Sequence, residues 1–291
     1  MKLLHFTLAI LAVPLAACSN FGDYAPDRGR LLATGGVSTV EGSGGGGLSS
    51  WATISGYGSD ESFGVNAFYT QSNLPDFELR VAGASVGMND RVEISYAKQQ
   101  FDTGDTGPEL GLAQGYTFEQ DIVGAKVRVL GDAVYGQDTW VPQVSVGAQY
   151  KKASDAPLLG ALGATDDDGV DLYVAATKIM LDKNLLVGGT LRATRANQFG
   201  LLGFGGDQND DYSMQFEGTV AYMLSKNLVI GADYRTKPDN LGFAEEQDAA
   251  AAYIAYFPTK NISVTGAYVD VGDVALRGKQ DGAYLSLQVG F

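Results

Sequence analysis

The chain has 291 residues and a formal charge of −14, with 45% hydrophobic residues and 39 glycines. That length suits one large domain or two small ones, and the hydrophobic content argues against disorder. The acidic excess argues against nucleic acid as a partner, because phosphate binding needs clustered Lys and Arg; the glycines lack the Gly-X-Y period of collagen.

The first residues read as an address. "MKLLHFTLAILAVPLAACSN" carries Lys2 and then an apolar run from Leu3 to about Ala17. A membrane-spanning helix takes ~20 residues, so this shorter run reads as a signal peptide over 1–17. Leu15-Ala16-Ala17-Cys18 resembles the bacterial lipobox, which implies lipidation of Cys18; ordinary cleavage near Ala17 is the alternative. In lipoproteins a non-acidic residue after the cysteine, here Ser19, goes with delivery to the outer membrane. Acyl chains contribute ~0.8 kcal/mol per buried methylene, so a multiply acylated cysteine is a firm anchor. The single histidine, His5, and the single cysteine, Cys18, both lie in this stretch. After cleavage no His-Cys zinc site, Ser-His-Asp triad or intrachain disulfide can form, so neither enzymatic activity nor a cofactor is expected.

Residues 18–33 show no sustained period and read as a periplasmic tether. Alternation then takes over. In "DIVGAKVRV", Val123, Ala125, Val127 and Val129 share one face, with Lys126 and Arg128 on the other. "VPQVSVGAQYK" sets Val144, Val146, Ala148 and Tyr150 against Gln143, Gln149 and Lys151. "SMQFEGTVAYML" and "NLVIGADYRT" repeat the pattern, with Glu217, Asp233 and Arg235 opposite the apolar stripes. Period two is the mark of strands with one apolar and one polar face. About fourteen such runs span 34–291, starting with 34–41 and 48–58; twelve is the alternative count, because the first is short and glycine-laden.

Connections alternate in length. Tight turns near 59–61, 89–90, 181–184, 224–227 and 258–260 alternate with long polar loops over 102–119, 153–168, 198–210, 237–247 and 271–280; the turn at 132–140 is longer than this rule wants. Short periplasmic turns and long extracellular loops describe an antiparallel transmembrane β-barrel of the bacterial outer membrane. Soluble sandwiches also alternate, but many runs here reach the ~9–11 residues of a tilted membrane strand rather than the ~5–6 of a globular one. Aromatics at strand ends (Trp51, Tyr69, Phe101, Trp140, Tyr150, Phe257 and Phe291) suit the two bilayer interfaces. Outer-membrane lipid and lipopolysaccharide are then the expected surroundings.

The chain ends on "GAYLSLQVGF". Leu285, Leu287, Val289 and the final Phe291 resemble the C-terminal assembly signal of bacterial outer-membrane barrels, which implies the barrel assembly machinery as a partner. "LLATGGVSTVEGSGGGGLSSWA", "YAKQQFDTGDTG", "NQFGLLGFGGDQND" and "YRTKPDNLG" look like a family of uncharacterised proteobacterial outer-membrane proteins known as a domain of unknown function, from about Arg30 to Phe291. That resemblance implies the barrel, and transport, without a substrate.

Glu93, Lys126, Arg128, Lys151, Arg192, Glu217, Asp233 and Arg235 are the candidates to line the lumen, where charged rings tune selectivity; internal salt-bridging is the competing role. "EGSGGGGLSS", 41–50, is either a flexible loop or a stretch folded into the lumen. "FGLLGFGG", 199–206, either folds inward or packs on neighbouring loops. Asp166, Asp168 and Asp171 are weak candidates for a cation, with spacing unlike an EF-hand. The expectation is an outer-membrane channel passing a small solute through a narrow charged lumen; the alternative is a plugged barrel acting through its acidic loops.

Overall fold

A computed structural model describes residues 31–291. The signal peptide at 1–17, Cys18 and most of the 18–33 tether lie outside the described residues. Two short strands, β1 (Val37–Ser38) and β2 (Gly44–Gly45), pair with each other. The other twelve are β3 (Phe63–Asn73), β4 (Glu78–Met88), β5 (Val92–Asp102), β6 (Thr117–Leu130), β7 (Gln143–Ala153), β8 (Asp168–Met180), β9 (Leu185–Thr194), β10 (Ser213–Ser225), β11 (Leu228–Arg235), β12 (Ala249–Thr259), β13 (Ile262–Asp270) and β14 (Asp281–Gly290). Each pairs antiparallel with its chain neighbours, and β14 pairs with β3 from Ala283↔Asn73 to Gly290↔Asn66, so the twelve close into a barrel.

Strand alternation settles which way the faces turn. Val123, Val127, Val146 and Ile230 are exposed on the outside, whereas Lys126 and Gln143 are buried within. A soluble barrel would have this reversed; here the outer face is a belt for lipid and the inner face is polar. Phe63 and Gly290 mark one end of the barrel, where the connections at 89–91, 181–184, 226–227 and 260–261 are short. That end is periplasmic. The longer periplasmic connection, 131–142, folds under the barrel, burying Ala133 and Val134 against Val37, Trp51 and Ile179. At the extracellular end the connections are long, apart from 74–77, and one carries the helix α1 (Ala156–Ala161).

The count of twelve follows from the fate of 34–41 and 48–58. Neither run joins the barrel. Every residue from 34 to 58 is buried, because this segment fills the lumen. Most of its residues are small and its few large apolar ones, Leu48, Trp51, Ile54 and Tyr57, do not fall at strand spacing on one face, so it has no apolar stripe to offer lipid. Trp51 therefore lies inside at 4% exposure rather than at an interface, and Phe101 and Phe257 also turn inward. Trp140, Tyr150 and Phe291 are exposed, as interfacial aromatics would be.

Val123 sits on the outer face midway along β6. Arginine there should cost ~2–4 kcal/mol of folding stability, as a lipid-facing charge near the midplane does. Urea unfolding in phospholipid vesicles, with Val123→Leu as the reference, measures it.

Candidate functional site

The plug and the wall meet through polar groups along the middle of the plug and through apolar side chains toward its top and bottom. Leu32, Ala33 and Val37 pack near the periplasmic end with Trp51, Leu186, Val229 and Phe257. From there the segment rises through β1 to Val40 and Glu41, turns back into β2, and leaves at Tyr57, whose N–H donates to the Phe291 carbonyl at 3.2 Å. Both ends of the plug thus sit at the periplasmic rim. Its turns demand small residues: a Cβ on Gly46 would stand 2.5 Å from the Asp233 carboxylate, and one on Gly45 2.1 Å from the Ser49 carbonyl oxygen. Of the two readings of 41–50, the structure has the stretch folded into the lumen.

Glu41 is the hub of the upper charge cluster. Arg235 forks onto it with two bonds of 2.9 Å, Lys151 donates to it, and Arg192 stands 3.5 Å away. Lys151 also bridges Asp171 at 2.7 Å. Arg192 reaches Glu217 at 2.6 Å and Asp171 at 3.3 Å, with its guanidinium 4.8 Å from the Tyr173 ring centre. Asp233 accepts from the plug amides of Leu48 and Ser49 at 3.1 and 3.3 Å, and from Thr219 at 2.7 Å. Nearer the periplasm, Glu93 pairs with Lys126 at 3.0 Å and accepts from the Gly44 and Ser55 amides at 3.1 and 2.8 Å. Lys126 in turn donates to the Trp51 carbonyl at 3.1 Å.

Glu93, Lys126, Lys151, Arg192, Glu217, Asp233 and Arg235 therefore point inward, and they contact a plug rather than open water. Arg128 does not join them. It sits at the periplasmic end of β6, partly exposed, and pairs with Asp90 at 2.7 Å and Asp132 at 3.7 Å. Glu41 was not among the sequence candidates. Its signal was there: it is the one charged residue between Arg30 and Asp60.

Above the plug, 199–206 does both: Phe199 turns into the lumen, while Leu201 and Leu202 pack with Leu159, Ala164 and Leu241 of neighbouring loops and the Phe204 N–H donates to the Asp166 carbonyl at 2.9 Å. Gln198 and Phe199 make the bend in the left-handed region, at φ 44° and 62°. The bend is held because the Phe199 carbonyl accepts from Lys151 at 3.1 Å and Gln120 at 3.2 Å, while Arg235 stands 4.5 Å from its ring centre. Lys237 ties Gln198 at 3.0 Å and pairs with Glu246 at 3.0 Å. Burial pushes the Glu246 carboxyl above its ordinary value, against the pull of Lys237.

The three aspartates considered for a cation are not brought together. Asp166 pairs with Arg195 at 2.9 Å in a loop, Asp168 opens β8, and Asp171 lies in the lumen cluster. No group of three metal-ligating side chains occurs among the described residues. Leu285, Leu287 and Val289 lie on the outward side of β14, and the Phe291 amide donates to the Val65 carbonyl at 2.8 Å.

A family described as a protein of unknown function (DUF3034) matches residues 34–288. The chain belongs to this family. No curated protein matches it. Among solved structures, the KdgM porin in complex with disordered oligogalacturonate is similar, at TM-score 0.50 and 13% identity over 78% of this chain and 99% of that one. The NanC porin gives 0.49 and 12% over 78% and 99%. Outer membrane phospholipase A from Escherichia coli gives 0.45 and 13% over 77% and 92%. At such identities the likeness is one of fold: this is a porin-like β-barrel of the bacterial outer membrane.

Removing the Glu41 carboxylate with the plug in place leaves three buried cations, Arg235, Lys151 and Arg192, with only Glu217 and Asp171 to balance them. Glu41→Ala should weaken plug docking by ~3–5 kcal/mol, as breaking a buried ion pair does. Hydrogen exchange should show protection falling roughly a hundredfold or more over 38–55 while β3–β14 hold, and Arg128→Ala should leave the plug protected.

Proposed function

We propose that this barrel is a channel for a small solute, held shut by its own segment 34–58 and opened when that segment withdraws toward the periplasm. The observation that carries this reading is the polarity of the plug–wall contact. The wall holds the plug with Gln143 and Ser145 on the Ala52 carbonyl, Thr190 on the Ser50 carbonyl, and Glu217 on the Ser50 amide. Such a wall can be wetted once the plug leaves. The hydroxyls of Ser49, Thr53 and Ser55 are buried without a partner, and each such group costs ~1–3 kcal/mol that hydration would recover. Since both plug ends lie at the periplasmic rim, withdrawal requires no threading through the barrel.

The unplugged wall would present Glu93, Asp171, Glu217 and Asp233 against Lys126, Lys151, Arg192 and Arg235. Equal numbers of each sign suit an uncharged or zwitterionic solute and give little preference between simple ions. No enzymatic role is proposed, because these carboxylates are committed to ion pairs and plug amides.

Planar-bilayer recording tests the reading. The full chain should be closed with rare openings; Glu41→Ala and a chain lacking 34–58 should conduct persistently, with a reversal potential near zero in a KCl gradient. Silence from all three folded barrels would remove the channel. It would leave a plugged barrel acting through its acidic loops, a reading favoured by the complete burial of 34–58.

A further inference from the structure

The closed form displays what the lumen wall can hold. Five consecutive strands, β6 to β10, converge on the backbone of Ser50, Trp51 and Ala52. The Ser50 N–H donates to Glu217 at 2.7 Å, and its carbonyl accepts from Thr190 at 2.7 Å. The Trp51 carbonyl accepts from Lys126 at 3.1 Å. The Ala52 N–H donates to Thr177 at 2.9 Å, and its carbonyl accepts from Gln143 at 2.6 Å and Ser145 at 2.5 Å. The remaining backbone group of the three residues, the Trp51 N–H, is met by the plug itself, at the Gly44 carbonyl. Ala52 is fully buried against Tyr173 and Ala175, so the wall takes a small side chain there.

We propose that the solute of this channel is a short peptide of small residues, which takes the place of 50–52 once the plug has withdrawn; this rests on the channel reading. Donors where carbonyls fall and acceptors where N–H groups fall, repeated over three successive residues, are complementary to a peptide backbone. A free tripeptide in that place sets its ammonium on the Glu217 carboxylate and its own carboxylate at the Gln143 and Ser145 donors, with Lys126 at the middle carbonyl. Both of its charged ends thus meet groups that suit them, which narrows the zwitterionic class to this one. A polyol brings hydroxyls alone, without the terminal charges. Before the peptide arrives the wall is already balanced, because Glu217 keeps Arg192 and Lys126 keeps Glu93.

The test compares trialanine with trisarcosine, an isomer whose methyl groups sit on nitrogen so that it has no amide N–H, and with sorbitol as a polyol. In planar bilayers, full-chain Glu41→Ala should pass a current that trialanine blocks saturably, with trisarcosine about fivefold weaker and sorbitol without effect. Thr177→Val in that background should weaken trialanine about fivefold and erase the difference between the isomers, because its hydroxyl accepts the third N–H. If that variant fails to fold, Thr190→Val serves in its place and should weaken both isomers alike, since both carry the carbonyl it meets. Current indifferent to trialanine, or blocked equally by both isomers or by sorbitol, would overturn the peptide and leave the channel standing. If no barrel conducts, hydrogen exchange on the full chain in nanodiscs still decides. Trialanine that displaces the plug should lower protection of 50–52 by up to about fivefold more than trisarcosine does. That result keeps the peptide site and sinks the channel; equal protection sinks both.

Discussion

In hydrocarbon, a backbone amide or carbonyl has no water to turn to, and that constraint organises this molecule. It requires β14 to find β3 and allows no edge. Closure then separates two worlds by side-chain parity alone. Odd positions along β14 meet lipid, while Tyr284, Ser286 and Gln288 are committed to the interior. An interior walled with Gln, Thr and charged residues must itself be solvated, by water or by protein. Here protein does it: a chain segment rich in glycine, whose bare amides and carbonyls stand in for solvent.

That view explains why the charges sit where they do. Glu93 accepts two plug amides and Asp233 two more, so these carboxylates act as acceptors for backbone that has left its own sheet. Arg192 and Arg235 then balance the remaining acid, including Glu41, which arrives on the plug. Barrel and plug share one neutralising network. Above it, where Phe199, Leu201 and Leu202 descend from the extracellular loop, the polar network gives way to an apolar roof.

Much of this was legible in the chain, for a physical reason. A strand's side chains alternate strictly, so once Val127 is assigned to lipid, Lys126 must face inward, with no knowledge of the partner strand. Loop lengths gave the orientation in the same local way. The plug was not legible, because nothing local distinguishes a glycine-rich stretch folded into a lumen from one that is a surface loop. Glu41 stands out as a lone charge in that stretch, but its role comes from Arg235 and Lys151, far away in sequence. Arg128 failed in the opposite sense. Its parity is right, but β6 runs past the lumen there, and the turn carboxylate of Asp90 claims it.

Polar contact also bears on how firmly the plug is held. An apolar plug would be held by burial worth ~25 cal/mol per Å², all of it lost on withdrawal. Buried ion pairs behave differently. Their attraction roughly repays the cost of desolvating them, and their net contribution is small unless one partner is removed. When the plug withdraws intact, Glu41 returns to water with its full hydration, and Arg235 and Arg192 keep Glu217 while Lys151 keeps Asp171. No charge is left stranded in either state. On the proposed channel reading, the network therefore sets the register of the closed form, while the buried Val37, Val40, Leu48, Trp51 and Ile54 of the plug supply the burial that withdrawal must overcome.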